Sequence, residues 1–253
     1  MGARWVDSHC HLQLAGGDEH VARARDAGVE WMVCVGTDLE TSTAAMTLAD
    51  RHPDVYAAVG LHPHEASKLA VEWAMLQPLA VADQCVAIGE CGFDLFYEHS
   101  PRDEQETAFR FQIRLAQHSG KPLVIHSRDA WDDTFRVLDD EGIPDRTIFH
   151  CFTGGPAEAR RALERGCYLS FSGIVSFKNA DSLREAARIT PADRVLVETD
   201  SPFLTPEPYR GKPNEPALVV AVGAALARAR GVGPDEIAEL TRANAARAFG
   251  PVR

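Results

Sequence analysis

The sequence predicts an α/β protein folded as a single (β/α)8 barrel, the TIM-barrel architecture. Its length of 253 residues is typical of this fold, and a composition of 45% hydrophobic and 25% charged residues is ordinary for a globular protein. Short apolar runs alternate with amphipathic stretches along the chain. This alternation indicates βαβ units with a parallel sheet, and eight repeats fit a closed barrel better than an open sheet.

The individual elements follow from local patterns. Apolar and β-branched runs predict eight strands, at residues 4–10, 31–36, 55–61, 85–89, 122–126, 147–151, 167–172 and 195–199. Amphipathic patterns predict helices between them, at residues 39–51, 65–82, 102–118, 130–141, 156–165 and 181–188. A proline-rich loop, residues 201–216, and two further helices, residues 217–230 and 234–249, follow the last strand. Because no linker divides the chain, we expect residues 1–253 to form one domain.

Glycines support several of these boundaries. Gly28, Gly120 and Gly166 precede the second, fifth and seventh strands. Glycine is the residue that most often caps the C-terminus of a helix, so each marks a helix-to-strand junction.

The charge balance limits the possible partners. The chain has 26 Lys and Arg against 37 Asp and Glu, a formal net charge of −11. This disfavours a sequence-independent grip along a nucleic-acid backbone, which is built from many cationic side chains. An enzyme that takes one phosphate at a metal centre remains compatible, since the ions set the local charge there.

The cysteines and the apolar runs bear on the compartment. Six cysteines occur without CxxC pairing, as expected of reduced thiols in the cytosol. Residues 1–14 lack the apolar core of a signal peptide, and no run of about 20 apolar residues suggests a membrane span. We therefore expect a cytoplasmic protein with no membrane partner.

Polar side chains cluster where five predicted strands end. In a parallel barrel all C-terminal strand ends open onto one mouth, where the active sites of this fold are built. Side chains alternate along a strand, so two histidines separated by Cys10 share a face, while Cys10, Cys91 and Cys151 should point away and pack rather than ligate. The residues expected at the mouth are His9, His11, Glu90, His126, His150 and Asp200.

Four histidines and two carboxylates can hold two divalent ions that share a bridging carboxylate and a bridging water or hydroxide. The chemistry that this supports is hydrolysis by an activated water. No GxSxG nucleophile elbow, Walker loop or GxGxxG after the first strand offers another mechanism. Taken singly, a strand-end histidine could be structural and each carboxylate a helix cap, but the conjunction of all six favours a metal site.

Seven motifs along the chain are specific enough to identify a family: DSHCHL (7–12), GLHPH (60–64), IGECGFD (88–94), IHSRDA (125–130), FHCFTG (149–154), ETDSPFL (198–204) and NEP (214–216). By these motifs the chain closely resembles the TatD family of metal-dependent hydrolases, whose members are described as DNases. The resemblance implies a barrel of the metallo-dependent hydrolase type and the same six metal ligands. It further implies one ion on His9 and His11, another on His126 and His150, Glu90 bridging them, and Asp200 as the proton acceptor near the attacking water.

Other polar residues are candidates for substrate binding or for structural roles. His62 and His64 follow the third strand and could contact a substrate phosphate or be structural. Arg128 suits phosphate binding, but it could instead pair with one of the nearby aspartates, Asp129, Asp132 or Asp133. Asp7 could orient a ligand imidazole or bond within the barrel, and Arg210, Lys212 and Asn214 could line the mouth or belong to a solvated loop.

These observations and the resemblance together predict a cytoplasmic hydrolase with two divalent ions that cleaves phosphodiester bonds of DNA, from single-stranded ends. Zn, Mn, Fe, Co and Ni suit the mixed ligands, Mg less so, and no obligate protein partner is implied. The alternative is an amidohydrolase-like enzyme acting on a small amide, lactone or phosphoester. Many such enzymes bridge their ions with a carbamylated lysine from the fourth strand, where this chain has Glu90. A non-catalytic metal-binding protein is the third possibility.

Overall fold

Eight parallel strands form one sheet in a computed structural model that describes residues 2–250. The strands follow one another around the sheet in chain order, from β1 to β8. This confirms the predicted barrel fold. The strands are β1 (Trp5–Cys10), β2 (Val29–Val35), β3 (Val55–Val59), β4 (Cys85–Asp94), β5 (Leu123–Arg128), β6 (Ile148–Phe149), β7 (Tyr168–Phe171) and β8 (Val195–Val197).

Helices alternate with the strands. Those between strands are α1 (Gly17–Asp26), α2 (Leu39–Arg51), α3 (Leu69–Val81), α4 (Arg102–Ser119), α5 (Trp131–Glu141), α6 (Pro156–Glu164) and α7 (Asp181–Ile189). A 3-10 segment at Pro63–Lys68 leads into α3, so the helix predicted at residues 65–82 is divided. After β8 come α8 (Val219–Arg230) and α9 (Pro234–Phe249), as predicted.

The barrel closes between β1 and the end of β8. Ser8 donates its hydroxyl hydrogen to the Val197 carbonyl (2.9 Å). Further along, the backbone N–H of Asp200 donates to the carbonyl of His9 (2.9 Å). These bonds set the last strand end directly beside the first histidine motif.

Two apolar layers stabilise the barrel. One fills its interior with alternate residues from all eight strands, for example Val33, Tyr56 and Leu196, and Phe249 of α9 packs on it. The other lies between the strands and the surrounding helices and includes the buried thiols of Cys10 and Cys91. Both layers leave the C-terminal strand ends uncovered, which is where the polar cluster lies.

No single helix in residues 2–250 is long and apolar enough to cross a membrane. Pro216–Arg230 and Pro234–Phe249 reach the required length and composition only as a pair, bent by 108°.

Candidate metal centre

A cavity of about 860 Å³ opens at the C-terminal ends of the strands. This volume is within the range of small-molecule and cofactor sites, roughly 300–1,000 Å³. His9 is fully buried and borders the cluster from within the barrel. The other predicted site residues line the cavity: His11, His62, His64, Glu90, His126, Arg128, His150 and Asp200.

Glu90 is the centre of the cluster. Its Oε1 lies 2.8 Å from Nδ1 of His126 and 2.7 Å from Nε2 of His150. Its Oε2 lies 3.3 Å from Nε2 of His9 and 3.9 Å from Nε2 of His11. The two oxygens of one carboxylate therefore face two separate histidine pairs.

Gly92 allows this close approach of β4 to β5. It has a φ of 131°, and a Cβ there would collide with the carbonyl oxygen of His126. Only glycine tolerates both the dihedral angle and the contact. Gly92, the second glycine of the IGECGFD motif, thus brings Glu90 within reach of His126 on β5.

Asp200 lies against the first histidine pair. Its Oδ1 is 3.4 Å from Nε2 of His11 and 3.8 Å from Nε2 of His9. Burial alone would raise the pKa of Asp200, but the hydrogen bond from His11 and the charges of His150 and His9 hold it below its ordinary value. Asp200 is therefore ionised at neutral pH.

The donor set fits divalent cations. Nδ1 of His11 lies 2.8 Å from the carbonyl oxygen of Val35 and donates its hydrogen there. With an ion bound the imidazole would be neutral, and its Nε2, which faces Asp200 and lies 3.3 Å from Nε2 of His9, would offer a lone pair. Lone pairs and carboxylate oxygens converging in a buried space need a positive charge between them. Without a metal ion, protons supply it: burial lowers the pKa of His11, but Asp200 and Glu90 raise it overall above its ordinary value.

Two buried carboxylates of the cluster were not singled out from the sequence. Asp94 Oδ2 lies 3.1 Å from Nε2 of His126, and Glu198 Oε1 lies 3.2 Å from Nδ1 of His150. Asp94 was missed because the fourth strand, predicted to end at residue 89, continues to Asp94 and keeps it on the same face as Glu90. These carboxylates orient the two histidines.

His62 and His64 contact the same carboxylates. Nε2 of His62 is 3.4 Å from Glu90 Oε1, and Nε2 of His64 is 3.0 Å from Asp94 Oδ2. Burial lowers the pKa of His62 to about 4, even though Glu90 acts in the opposite direction. Both rings border the cavity, and their contact with substrate stays a prediction.

Arg128 stacks on aromatic rings at the cavity rim. Its guanidinium carbon is 4.1 Å from the ring centre of Phe96 and 4.6 Å from that of Tyr97. Two of the aspartates considered as alternative partners pair elsewhere, Asp132 with Arg161 (2.7 Å) and Asp133 with Arg102 and Arg136.

Asp7 bonds within the barrel rather than to a ligand imidazole. Its carboxylate accepts from the backbone N–H (2.8 Å) and the hydroxyl of Thr199, which fixes the end of β8. Burial raises the pKa of Asp7 to about 8.

The cysteines next to the site residues behave differently from one another. Cys91 is buried in the core, as expected. The expectation for Cys151 was wrong: with a φ of 39° the residue turns to border the cavity, and its Sγ lies 3.2 Å from Oγ of Ser172.

The loop after β8 has a supporting role. Asn214 donates from its amide to the carbonyls of Thr199 (2.9 Å) and Phe203, which holds the loop against the strand end. Arg210 lies over the ring of Phe177, 4.3 Å from its centre. These contacts place Asn214 and Arg210 in the framework of the loop.

The barrel and the histidine–carboxylate cluster define a metal-dependent hydrolase. The family model described as TatD related DNase matches residues 6–250, and the chain belongs to this family of hydrolases acting on ester bonds. It is 42% identical to the uncharacterized metal-dependent hydrolase YabD of Bacillus subtilis, covering 96% of this chain and 98% of that protein. It is 40% identical to the 3'-5' ssDNA/RNA exonuclease TatD of Cronobacter sakazakii, covering 92% and 91%.

Solved structures agree with the fold. The TatD homologue YJJV of Escherichia coli K12 superposes with a TM-score of 0.88 at 29% identity, covering 99% of this chain and 100% of that one. A TatD family hydrolase from Entamoeba histolytica superposes with a TM-score of 0.87 at 19% identity, covering 99% of each chain, and supports the fold alone.

Proposed function

We propose that this protein is a nuclease that hydrolyses phosphodiester bonds of DNA from single-stranded ends. The observation that carries the proposal is the placement of Glu90 between two pairs of histidines, at the floor of an open cavity whose rim holds Arg128. Support comes also from family relatives named ssDNA/RNA exonucleases.

The cluster residues would hold two divalent ions. His9, His11 and Asp200 would bind one, His126 and His150 the other, and Glu90 would contact both. The bound ions would polarise the phosphoryl oxygen and lower the pKa of water to the neutral range. Asp94 and Glu198 would keep the second histidine pair in its orientation.

The remaining residues would act on the substrate and its protons. Asp200, ionised and next to the first histidine pair, would accept the proton from the attacking water. Arg128 would donate to a non-bridging phosphate oxygen, and His62 and His64 would contact the same group. A cationic side chain at the rim offsets the anionic charge of the substrate as it enters.

The amidohydrolase-like alternative is less well supported. Lys121, at the start of the fifth strand, donates from Nζ to the carbonyls of Ala80 (2.8 Å) and Ala82 (2.7 Å) and cannot bridge ions in the cavity. Glu90, which lies between the two histidine pairs, would bridge the ions instead. Carboxylate ligands beside the guanidinium of Arg128, which lines the same cavity, favour a phosphoester substrate.

The free thiols support a cytoplasmic location. All six cysteines are free, and five of them are buried. Reduced cysteines without structural disulfides are typical of a reducing compartment.

The test uses protein loaded in turn with Mn, Zn, Co, Ni, Fe or Mg. We expect a linear single-stranded oligonucleotide labelled at one end to be shortened stepwise, and a panel of small amides and lactones to be left intact. Hydrolysis of the panel with no cleavage of the oligonucleotide would reject the nuclease in favour of the alternative.

A further inference from the structure

We propose that Phe96, Tyr97 and Arg128 form a platform on which a nucleobase of the substrate strand stacks beside the metal centre. The inference rests on the proposed nuclease function and adds to it a site for the base, distinct from the site for the phosphate. Three observations carry it: the two rings are exposed, the guanidinium of Arg128 lies over them, and Asp94 bonds both to the segment that holds the rings and to His126.

Both rings are exposed to solvent. Phe96 is 57% exposed and Tyr97 51% exposed, and both border the cavity. They follow β4 directly, and their ring centres lie 4.8 Å apart with the planes perpendicular. An exposed aromatic ring at the mouth of a site offers a face on which a planar group of a ligand can pack.

Arg128 completes the platform. Its guanidinium carbon lies over both rings, at 4.1 Å and 4.6 Å from their centres. Aromatic rings and guanidinium planes are the groups on which proteins stack unpaired bases. Because stacking uses the faces of a guanidinium, its N–H edges stay available for a phosphate oxygen. One side chain can therefore serve the base and the phosphate.

Asp94 ties the platform to the metal centre. Its Oδ1 accepts from the backbone N–H groups of Phe96 (3.1 Å) and Tyr97 (2.9 Å), while its Oδ2 lies 3.1 Å from Nε2 of His126. The N–H of Leu95 also donates to the carbonyl of Arg128 (3.0 Å). These bonds thus hold the rings, the guanidinium and His126 in one frame.

The chemistry of the platform selects an unpaired base. In a duplex the faces of each base are covered by its neighbours, so a base can stack on protein rings only from a single strand or a frayed end. The platform would therefore supply affinity for single-stranded nucleic acid without many cationic contacts along the backbone, as suits a chain of net charge −11.

The experiment combines ring removal with base removal. Metal-loaded wild type, Phe96→Ala and Tyr97→Ala are assayed on a linear single-stranded oligonucleotide and on the same strand with a reduced abasic residue next to the scissile phosphate. Phe111→Ala is the matched control, since Phe111 is 41% exposed on α4 and does not border the cavity. Phe96→Tyr keeps a ring and should keep the sensitivity to the abasic residue that Phe96→Ala loses, and thermal melting checks the fold of each variant.

For wild type we expect the abasic residue to raise KM by at least about fivefold, the scale of one base–aromatic stack. Each ring variant should raise KM on the intact strand by a similar factor and lose its sensitivity to the abasic residue. Anisotropy of the labelled intact strand on Asp200→Asn protein should show the same loss of affinity when Phe96→Ala is added.

The outcomes separate the two proposals. If the ring variants cleave the intact strand as Phe111→Ala does, or keep the full abasic penalty, the platform is wrong and the nuclease stands. If wild type cleaves neither strand with any of the ions, the nuclease function is wrong and the platform fails with it.

Discussion

Glu90 is the residue on which the cluster depends, because its two oxygens face both pairs of histidines. Glu90→Ala should remove bound metal and hydrolysis together. Metal content by plasma mass spectrometry and turnover on a labelled oligonucleotide measure the two losses. Glu106→Gln, which removes a surface carboxylate on α4, is the control and should keep both. Retention of two ions with near-normal turnover in Glu90→Ala would show that Glu90 does not bridge.

Asp200 should behave differently from Glu90. In Asp200→Asn the amide keeps the shape and one oxygen but cannot accept a proton at neutral pH. We expect partial retention of metal and a fall in turnover of roughly 10²-fold or more, the scale of general acid–base catalysis. The comparison is made at equal metal content. A fully metallated variant with unchanged turnover would exclude Asp200 as the proton acceptor.

Arg128→Ala tests the grip on phosphate. Loss of a charge-assisted hydrogen bond should weaken binding of a phosphate-bearing substrate by about 1.5–3 kcal/mol, seen as a higher KM. Arg161→Ala, which removes an exposed guanidinium paired with Asp132, is the control. Kinetics on DNA equal to those of wild type would leave Arg128 with only its packing on Phe96 and Tyr97.

Among single residues, those of the histidine–carboxylate cluster were easier to predict from the sequence than the residues around them. His9 and His11 could be placed together because alternation along a strand is a local property. Glu198 could not be placed, since its contact with His150 joins residues 48 positions apart. The stacking of Arg128 on Phe96 was hidden for the same reason, because the position of a loop ring depends on tertiary packing.

Among the elements, α4 and α5 are joined by an ionic network that should make stability depend on pH. The hydrogen bond from Arg136, together with Arg110, lowers the pKa of Glu106 to about 2, against about 4.3 in an unfolded chain. A lowered folded pKa gives stability that is present above about pH 4.3 and is lost as pH falls toward 2.

Glu106→Gln should therefore lower the melting temperature at pH 7 and have less effect at pH 3. Because the Glu106 side chain is 27% exposed, the decrease in the free energy of unfolding at pH 7 should stay below about 1 kcal/mol. Melting curves of both proteins at pH 7, 5 and 3 measure it. Glu19→Gln on α1, 85% exposed in its side chain, is the control. If the difference in melting temperature between the two proteins were the same at every pH, Glu106 would not have the lowered pKa on which this prediction depends.

The elements show where pattern reading succeeds and where it fails. The strands were predictable because each begins with buried apolar residues. The bounds of α1 could not be predicted, although Gly28 marks its end, because the helix is rich in charged residues and buries only Val21 and Ala24. The length of β4 was underestimated because Glu90, Gly92 and Asp94 interrupt its apolar pattern, and these are the residues that serve the site.

For the molecule as a whole, charge decides which part of a nucleic acid can approach. Four buried carboxylates, Glu90, Asp94, Glu198 and Asp200, would be offset in formal charge by two divalent ions, which leaves Arg128 as the cation at the rim. The whole chain, with these carboxylates included, has a formal net charge of −11, so two bound divalent ions would still leave a net charge of about −7. Attraction is therefore local, and a long duplex would bring many phosphates against a net-negative surface.

A strand end can place one phosphodiester at the cluster with few other contacts, so we expect a linear single strand to be cleaved much faster than the same sequence covalently circularised. Metal, salt and strand concentration are kept identical. The logarithm of the binding constant for the linear strand should fall linearly with the logarithm of the salt concentration. Each phosphate contacted contributes about 0.7 to that slope, and we expect a slope that corresponds to only a few phosphates. The control is the same circle reopened by a single cut. It has the sequence and size of the closed circle and should be degraded at the rate of the linear strand. Equal degradation of the closed circle would mean that the cavity admits internal phosphodiesters and that the protein needs no strand end.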